Sequence, residues 1–459
     1  MKKYIISLAL VFSSISALTQ ATTPLPHREG QGEGLQGGGS AGVYSLEQLK
    51  QLAIENNYNL RSARSAIQQS KEVKSEAFTK YFPQVSALGF GFQNNKPLID
   101  YDVELPGVLA AIVPQDLIPA NISLMKKGLY GSVSAIQPVF MGGQIINGNK
   151  LAKVGIEASE LQMEVSADKV ELTTEEYYWK VVSLKEKMQT LASIHDLLEQ
   201  LEKDVNNMVR VGAVNRNDLL QVQLRKGEIE SAQLELENGL ATVSQLLAQH
   251  VGKTGESIDV TVPDGFAIGT VPVLPVALRQ DHQTALAATP QYRLLEKNVE
   301  SHRLQHKLKV GQNMPSVGVG ASYSYNDWFD KSTGAMIFAA VQVPISGWWG
   351  GSHAIKKQKL ALQDAQEQME DNGQKLVIRM NNAWAAVETS HKKLLIAHDA
   401  IAQAEENLRL NRDYYRVGST KMSDLLLAQQ QYQQARDRYT DAFADFQTKQ
   451  LEYRQATGQ

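Results

Sequence analysis

The sequence contains no cysteine among its 459 residues. This absence excludes disulfide scaffolds, thiolate zinc sites, cysteine nucleophiles and lipid attachment through an N-terminal cysteine. Basic charge is not in excess either, because 46 Lys and Arg residues stand against 49 Asp and Glu, for a net charge of -3. A protein that binds a polyanion normally carries a clear basic excess, so nucleic acid is a poor candidate partner.

Motifs of catalytic and metal-binding sites are also missing. The sequence shows no phosphate-binding loop, no nucleophile elbow and no paired acid and base. His302 and His306 are four residues apart and would share one helix face, but no glutamate lies between them and no third ligand is evident. We therefore predict a protein that is not an enzyme and that has no metal or cofactor site.

The N-terminus has the layout of a secretory signal. Met1, Lys2 and Lys3 supply positive charge, residues 4–15 are mostly apolar, and small residues follow. We expect a signal peptide over residues 1–21 and a disordered, Gly- and Pro-rich lead-in over residues 22–43. No later stretch is apolar and uncharged over about 18 residues, so no transmembrane helix is predicted, although β-strands remain a route into a membrane.

The rest of the sequence consists of two related copies. Residues 210–223 recur at residues 416–429, and Pro138 corresponds to Pro344 at the same spacing. The upstream landmarks Pro83 and Pro315 are farther apart, which places an insertion in the first copy within residues 94–127. A period this long indicates duplication of a domain-sized unit, with a first repeat over residues 44–254 and a second over residues 255–459.

Both repeats have the same predicted order of a helix, a β-hairpin, a long helix and a return helix. In the first repeat these elements span residues 46–80, 84–140, 144–211 and 217–250. In the second repeat they span residues 290–312, 316–345, 351–417 and 423–456. At about 1.5 Å per residue, each long helix would extend for roughly 100 Å.

The predicted strands alternate between two kinds of side chain. Apolar residues share one face, and Ser or Gly residues the other, along the strand that contains Val317, Val319, Ala321, Tyr323 and Tyr325. Corresponding apolar alternations in the first repeat are Leu88, Phe90, Phe92 on one strand and Val133, Ala135, Val139 on the other. Strands of roughly 10 residues suffice to cross a bilayer at a tilt, although a hairpin of a soluble sheet remains an alternative.

The predicted helices carry apolar residues at heptad spacing. The second long helix has Val387, Leu394, Ile401 and Leu408 seven apart, and its return helix has Leu425, Tyr432, Tyr439, Phe446 and Tyr453. Such spacing is typical of helices that pack side by side as a coiled coil. Four strands cannot close a barrel and open edges are not tolerated in lipid, so membrane strands would require two, three or four chains to share one sheet.

This ordered set of features resembles the TolC-like outer-membrane efflux proteins. The resemblance rests on the signal peptide, the duplicated unit, residues 137–143 and the two Val-Gly-x5-Asp-Leu-Leu-x2-Gln turns. It implies an α+β membrane protein, a homotrimer in which four strands per chain form a twelve-stranded outer-membrane β-barrel continuous with a coiled-coil α-barrel in the periplasm. It also implies a passive duct, driven by an inner-membrane transporter through a periplasmic adaptor protein.

The resemblance further implies where the periplasmic entrance lies. In the family, the two helix–turn–helix tips form this entrance and contact the adaptor, and the matching residues here are Val211, Gly212, Ala213, Val417, Gly418 and Ser419. By position, Asp218 and Tyr415 match the residues that latch the entrance, and Asp424 matches an acidic ring. The basic latch residue of the family falls on Thr420, with Lys421 adjacent, so the latch is altered or shifted by one.

Other interpretations of the same residues remain open. Asp218 and Asp424 also suit the first turn of a helix, where a carboxylate interacts favourably with the helix dipole. The whole chain is alternatively a periplasmic coiled-coil adaptor or interaction protein without its own pore, or a secreted enzyme. The sequence does not indicate a transported substrate.

Overall fold

The computed structural model describes residues 42–102, 121–124, 126–263, 266, 271–327, 331–345 and 347–459. The predicted signal peptide, residues 22–41 of the predicted lead-in and the middle of the predicted insertion lie outside these residues. Among the helices of the described ranges, none combines the length and the apolar character needed to cross a membrane.

The elements alternate between short strands and long helices. In chain order they are β1 (Gly42–Tyr44), α1 (Leu46–Asn56), α2 (Tyr58–Thr79), β2 (Gln84–Gln93), β3 (Ile99–Asp102), β4 (Asn121–Leu124), β5 (Lys127–Phe140), α3 (Gln144–Arg210), α4 (Arg216–His250), β6 (Ile258–Val260), α5 (His282–Ala285), α6 (Pro290–Gln312), β7 (Ser316–Asn326), β8 (Ser332–Gln342), α7 (Gly347–Arg416) and α8 (Met422–Thr457). In the described part of the segment that links the two halves, single-turn 3₁₀ helices span Val276–Leu278 and Leu286–Ala288.

Two local predictions near the N-terminus need correction. Gly42 and Val43, placed in the lead-in by composition, belong to β1, because they pair in parallel with β6. The helix predicted over residues 46–80 is broken at Asn57, whose ψ of 134° is extended. The Asn57 side chain then accepts a hydrogen bond from the Asn59 amide at 2.8 Å and so caps the start of α2.

The main sheet joins both halves of the chain. Its strand order is β2-β5-β7-β8, and every pair is antiparallel. The β5–β7 pair connects the first half, residues 44–254, to the second half, residues 255–459. Within the predicted insertion, β3 and β4 form a separate two-stranded ladder. The main sheet therefore has two outer edges, one along β2 and one along β8.

The register decides which side chains share a face of this sheet. Val133 pairs with Ala87 on one side and with Tyr323 on the other, so these three residues lie on one face. Leu88 pairs with Ser132, which pairs with Ser324, on the opposite face. The large side chains of β2 thus lie on the Ser- and Gly-rich face, opposite Val133, because the register places Ala87 beside Val133.

The long helices pack along the seams that heptad spacing predicts. Leu394 of α7, and Tyr439 and Phe446 of α8, are completely buried. Two clusters result: one contains Tyr178, Trp179 and Phe443 midway along the helices, and the other contains Leu198 and Met422 near the turns. Helix α7 begins at Gly347, four residues before its predicted start.

The chain passes from the sheet into α3 through a tight glycine contact. Gly142 has a φ of +60°, and a Cβ on it would overlap the carbonyl oxygen of Gly311 at the end of α6. A Cβ on Gly311 would likewise overlap the carbonyl oxygen of Gly142. Only glycine fits at either position, because the two backbones are in contact.

Candidate functional site

The predicted entrance lies where the long helices turn back, at residues 211–215 between α3 and α4 and at residues 417–421 between α7 and α8. Both turns close in the same way. The Ala213 amide donates to the Met208 carbonyl at 2.8 Å, and the Ser419 amide donates to the Tyr414 carbonyl at 2.9 Å. Gly212 and Gly418 have φ values of +75° and +76°, the left-handed conformation that this helix ending requires.

The tips of the two turns, residues 211–213 and 417–419, are exposed to solvent and are called bare here because no other described part of the chain covers them. Val211 is 79% exposed and Val417 is 76% exposed. A Cβ added to Gly212 or Gly418 would meet no atom within 4 Å. Two exposed valines beside open glycines give a surface that another protein could approach closely, without displacing any side chain of this chain.

Tyr415 lies just before the second turn and is only 7% exposed, in the cluster that contains Leu425. Burial, assisted by the nearby Asp218 carboxylate, raises the pKa of Tyr415 to about 12. The buried hydroxyl nevertheless makes no hydrogen bond of standard geometry with the described residues. The contact between Tyr415 and Asp218 is therefore close enough for electrostatic interaction but loose as a hydrogen bond.

Asp424 is exposed in the first turn of α8 and bonds only locally. Its carboxylate accepts hydrogen bonds from the Thr420 hydroxyl at 3.1 Å and from the Ser423 hydroxyl at 3.4 Å. Thr420, at the position of the family's basic latch residue, therefore contacts the acidic group of its own turn. Lys421 is exposed beside it and precedes the first residue of α8.

The positions of Asp218 and Asp424 in their helices explain part of the contribution of these two carboxylates to stability. Asp218 and Asp424 are both third residues of their helices, and the N-cap residues are Asn215 and Lys421. Neither N-cap side chain makes a capping hydrogen bond. Each carboxylate thus interacts favourably with a helix dipole, an effect of about 0.3–1 kcal/mol, and this role is compatible with a role at an entrance.

The structure reveals a further candidate residue, Arg225, which no sequence motif indicated. Arg225 of α4 donates hydrogen bonds to Gln429 and Gln433 of α8, so it joins the two halves of the chain. Gln429 belongs to the recurring turn motif, but nothing in the motif predicts its partner. A cavity of about 350 Å³ lies nearby, lined among others by Leu198, Tyr415 and Gln429.

His302 and His306 do not belong to a group of candidate metal ligands in the described part of the chain. In the described part of the chain, the one group of side chains close enough to share an ion is His195, Asp196 and Glu199 on α3. Glu199 also forms an ion pair with Lys203 at 2.9 Å.

Comparisons with known proteins agree with this geometry. Residues 282–459 match the family model described as outer membrane efflux protein. A relative, the outer membrane efflux protein BepC of Brucella suis biovar 1 (strain 1330), is 23% identical over 390 residues, which cover 82% of this chain and 77% of BepC.

Two solved structures show the same fold. CusC aligns with a TM-score of 0.75 at 14% identity, over 91% of this chain and 92% of CusC. The MtrE outer membrane channel of Neisseria gonorrhoeae, solved in its open state, aligns with a TM-score of 0.70 at 16% identity, over 90% of this chain and 88% of MtrE. Residues 282–459 therefore match the outer membrane efflux protein family, and the resemblance of this chain to the TolC-like outer-membrane efflux proteins is confirmed.

Proposed function

We propose that this protein is the outer-membrane channel of a tripartite efflux or secretion system. It provides a passive duct across the outer membrane and the periplasm, and an inner-membrane transporter drives export through a periplasmic adaptor protein. The observation that carries the proposal is the main sheet, whose two outer edges and two exposed faces are left uncovered by the four long helices.

Closure of this sheet requires further copies of the chain. Among the strands of the described residues, β2 and β8 each have one side without a neighbour in the main sheet. Unpaired backbone groups are not tolerated in lipid, so β8 of one copy must pair with β2 of the next until a cylinder closes. Three copies give twelve strands, the number that the family resemblance implies, and we propose a homotrimer with this barrel.

The faces of the sheet suit a membrane position. Ile337 is 89% exposed, and Val85, Val133 and Val341 on the same face are exposed as well. Such a face is costly in water but is stable against lipid tails. We propose that it contacts outer-membrane lipid, and that the opposite face, which carries Ser86 and Ser134 together with the exposed Leu88 and Phe90, lines the duct.

The long helices would then extend the duct into the periplasm. We propose that α3, α4, α7 and α8 of three copies form a helical barrel, and that the two halves of each chain are copies of one duplicated unit. The bare tips at residues 211–213 and 417–419 would contact the adaptor, and Asp218, Tyr415, Thr420, Lys421 and Asp424 would surround the entrance.

The alternative of an adaptor without a pore has less support. An adaptor would need only one helical hairpin, whereas this chain has two hairpins and a four-stranded sheet that connects them. The domain match and the shared fold also favour the channel.

The proposal can be tested on the full-length protein expressed with its own N-terminus. We expect it in the outer-membrane fraction, processed near Ala21, with a detergent-solubilised mass of three chains, heat-modifiable migration on a gel and ion conductance in a planar bilayer. A water-soluble monomer that conducts no ions would overturn the proposal.

A further inference from the structure

A single arginine connects the return helices of the two halves of the chain. The Nε atom of Arg225 donates to the Gln429 side-chain oxygen at 3.1 Å, and one of its terminal nitrogens donates to the Gln433 side-chain oxygen at 3.0 Å. The two glutamines are four residues apart on one face of α8. The planar guanidinium, which carries donors in a fixed fork, is suited to bridge two such acceptors.

The bridge is enclosed by the helices. The Arg225 side chain is 15% exposed and Gln429 is 1% exposed. The remaining terminal nitrogen of Arg225 donates to Glu228 at 2.8 Å on the same helix, which holds the guanidinium in place. The amide nitrogen of Gln429 is buried and has no partner among the described residues. Arg225 is the one side chain in the described ranges that bonds Gln429.

Several other polar contacts near the turns stay within one helical hairpin. Gln223, the counterpart of Gln429 in the first half, donates to Glu202 of α3 at 3.0 Å, and Lys226 contacts the same Glu202 at 3.2 Å. In the second half, Asn407 of α7 donates to Gln431 of α8 at 3.0 Å. These bonds stabilise each hairpin internally and do not connect it to the other hairpin.

We propose that Arg225, Gln429 and Gln433 form a clasp that holds the α7–α8 hairpin against α4 and so restrains opening of the periplasmic entrance. This inference rests on the proposed channel function. Arg225 follows Asp218 by seven residues, so the clasp lies about 10 Å along the helix from the Tyr415–Asp218 contact. It is a second restraint, farther from the tips than the first.

The surroundings of Gln429 explain why the clasp controls movement. Without Arg225, both ends of the Gln429 amide are buried without a partner, which is an unfavourable state. The cavity beside Gln429 and Tyr415 gives the side chain room to move and to gain water when α8 shifts. Loss of the clasp therefore favours separation of the two hairpins over the packed arrangement.

Planar-bilayer recordings of the assembled protein test the clasp. We expect Arg225→Met to raise open-state occupancy about tenfold, because two hydrogen bonds from a charged donor are lost. Arg225→Lys should have an intermediate effect, since an ammonium is a point donor without the fork. Arg409→Met is the matched control: Arg409 is exposed and bonds only Glu406 and Asp413 of its own helix, so occupancy should stay at the wild-type value.

Crosslinking gives a test in the opposite direction, because it replaces the hydrogen bonds of the clasp by a covalent link that can be cleaved. Because the natural chain has no cysteine, the double variant Arg225→Cys, Gln433→Cys can be joined specifically by a short, reducible bifunctional thiol reagent. We expect the joined channel to stay closed and to open on reduction. A Glu202→Cys, Gln223→Cys pair, which joins helices of one hairpin, should leave opening unchanged.

The outcomes separate this inference from the proposed function. A wild-type protein that forms no conducting oligomer would overturn the channel itself. If the wild type conducts, and Arg225→Met retains the heat-modifiable oligomer but opens no more than Arg409→Met, the clasp is wrong. Free opening of the channel joined between positions 225 and 433 would contradict it independently.

Discussion

Tyr415, in the last turn of α7, lies close to Asp218, in the first turn of α4, so the two halves of the chain meet through a phenol and a carboxylate. Burial and this carboxylate raise the pKa of Tyr415 to about 12. The phenol therefore keeps its proton at any physiological pH and remains a hydrogen-bond donor facing an acceptor.

Tyr415→Phe tests whether this contact holds the entrance closed. The variant keeps the buried ring and loses only the hydroxyl, so the fold should be retained. We expect open-state occupancy to rise about threefold, as for loss of a loose contact of roughly 0.5–1 kcal/mol. The neighbouring Tyr414 is exposed, and Tyr414→Phe is the control in the same bilayer recordings. Equal open-state occupancy of the two variants would mean that Tyr415 acts only through packing.

Asp424→Ala tests for a ring of negative charge at the entrance. If Asp424 faces the duct, its copies in neighbouring chains attract cations, and the substitution should lower cation selectivity. The reversal potential in a salt gradient and block by divalent cations measure this effect. Asp371→Ala removes the same charge from α7 far from the turns, where Asp371 pairs with Lys375. If both substitutions shift the reversal potential equally, Asp424 does not form such a ring, and its role is limited to the interaction with the dipole of α8.

The surroundings of His250 predict that the folded protein loses stability in acid. Its Nε2 atom lies 3.1 Å from the Val170 carbonyl oxygen, and its Nδ1 atom lies 3.3 Å from the side-chain nitrogen of Asn57. Burial lowers the pKa of His250 below its ordinary value of 6.5, despite the opposing effect of the Val170 carbonyl. Protonation would place a second N–H against the Asn57 donor.

The direction of this pH effect follows from which state of the protein binds the proton first. Because the folded pKa is the lower one, the unfolded chain binds a proton first as the pH falls. The stabilisation is complete above about pH 6.5 and is lost as the pH falls through the folded pKa. We expect the thermal midpoint of the wild type to fall more between pH 7.5 and pH 5 than that of His250→Gln. The exposed His353→Gln is the control, and parallel profiles for wild type and His250→Gln would contradict this origin.

Gly212 and Gly142 both have a positive φ, but they should differ in how well they tolerate substitution by alanine. Gly212→Ala forces a left-handed alanine at about 1–2 kcal/mol, with no clash, so the oligomer should still assemble. Gly142→Ala adds an overlap with the Gly311 carbonyl oxygen and should prevent assembly. The yield of heat-modifiable oligomer in membranes measures both effects. Equal yields would mean that the α3–α6 contact adjusts more easily than its geometry indicates.

Part of the entrance was accessible from local sequence signals. The position of each turn follows from Gly212 and Gly418, because a helix that ends in a left-handed residue favours glycine there. The acids at positions 218 and 424 were visible as first-turn residues. Arg225 was not, because its partners are about 200 residues away and no local pattern encodes a contact between hairpins.

The sequence by itself determined the helices and the faces they bury. Residues such as Leu394, Tyr439 and Phe446 recur at a period set by the backbone of one helix, so heptad spacing identifies the buried seam without knowledge of a partner. Alternation likewise predicted the strands. These are local properties of a chain with fixed backbone geometry.

The tertiary structure alone decided which elements meet and in what register. The pairing of Ala87 with Val133 places Leu88 on the Ser-rich face, although both strands alternate in the same way. The contacts of Tyr415 with Asp218, and of Arg225 with Gln429 and Gln433, are likewise decided only by the tertiary structure. A one-residue change of register reverses every side chain of a strand, and alternation is identical in both registers, so only the packing of distant segments distinguishes them.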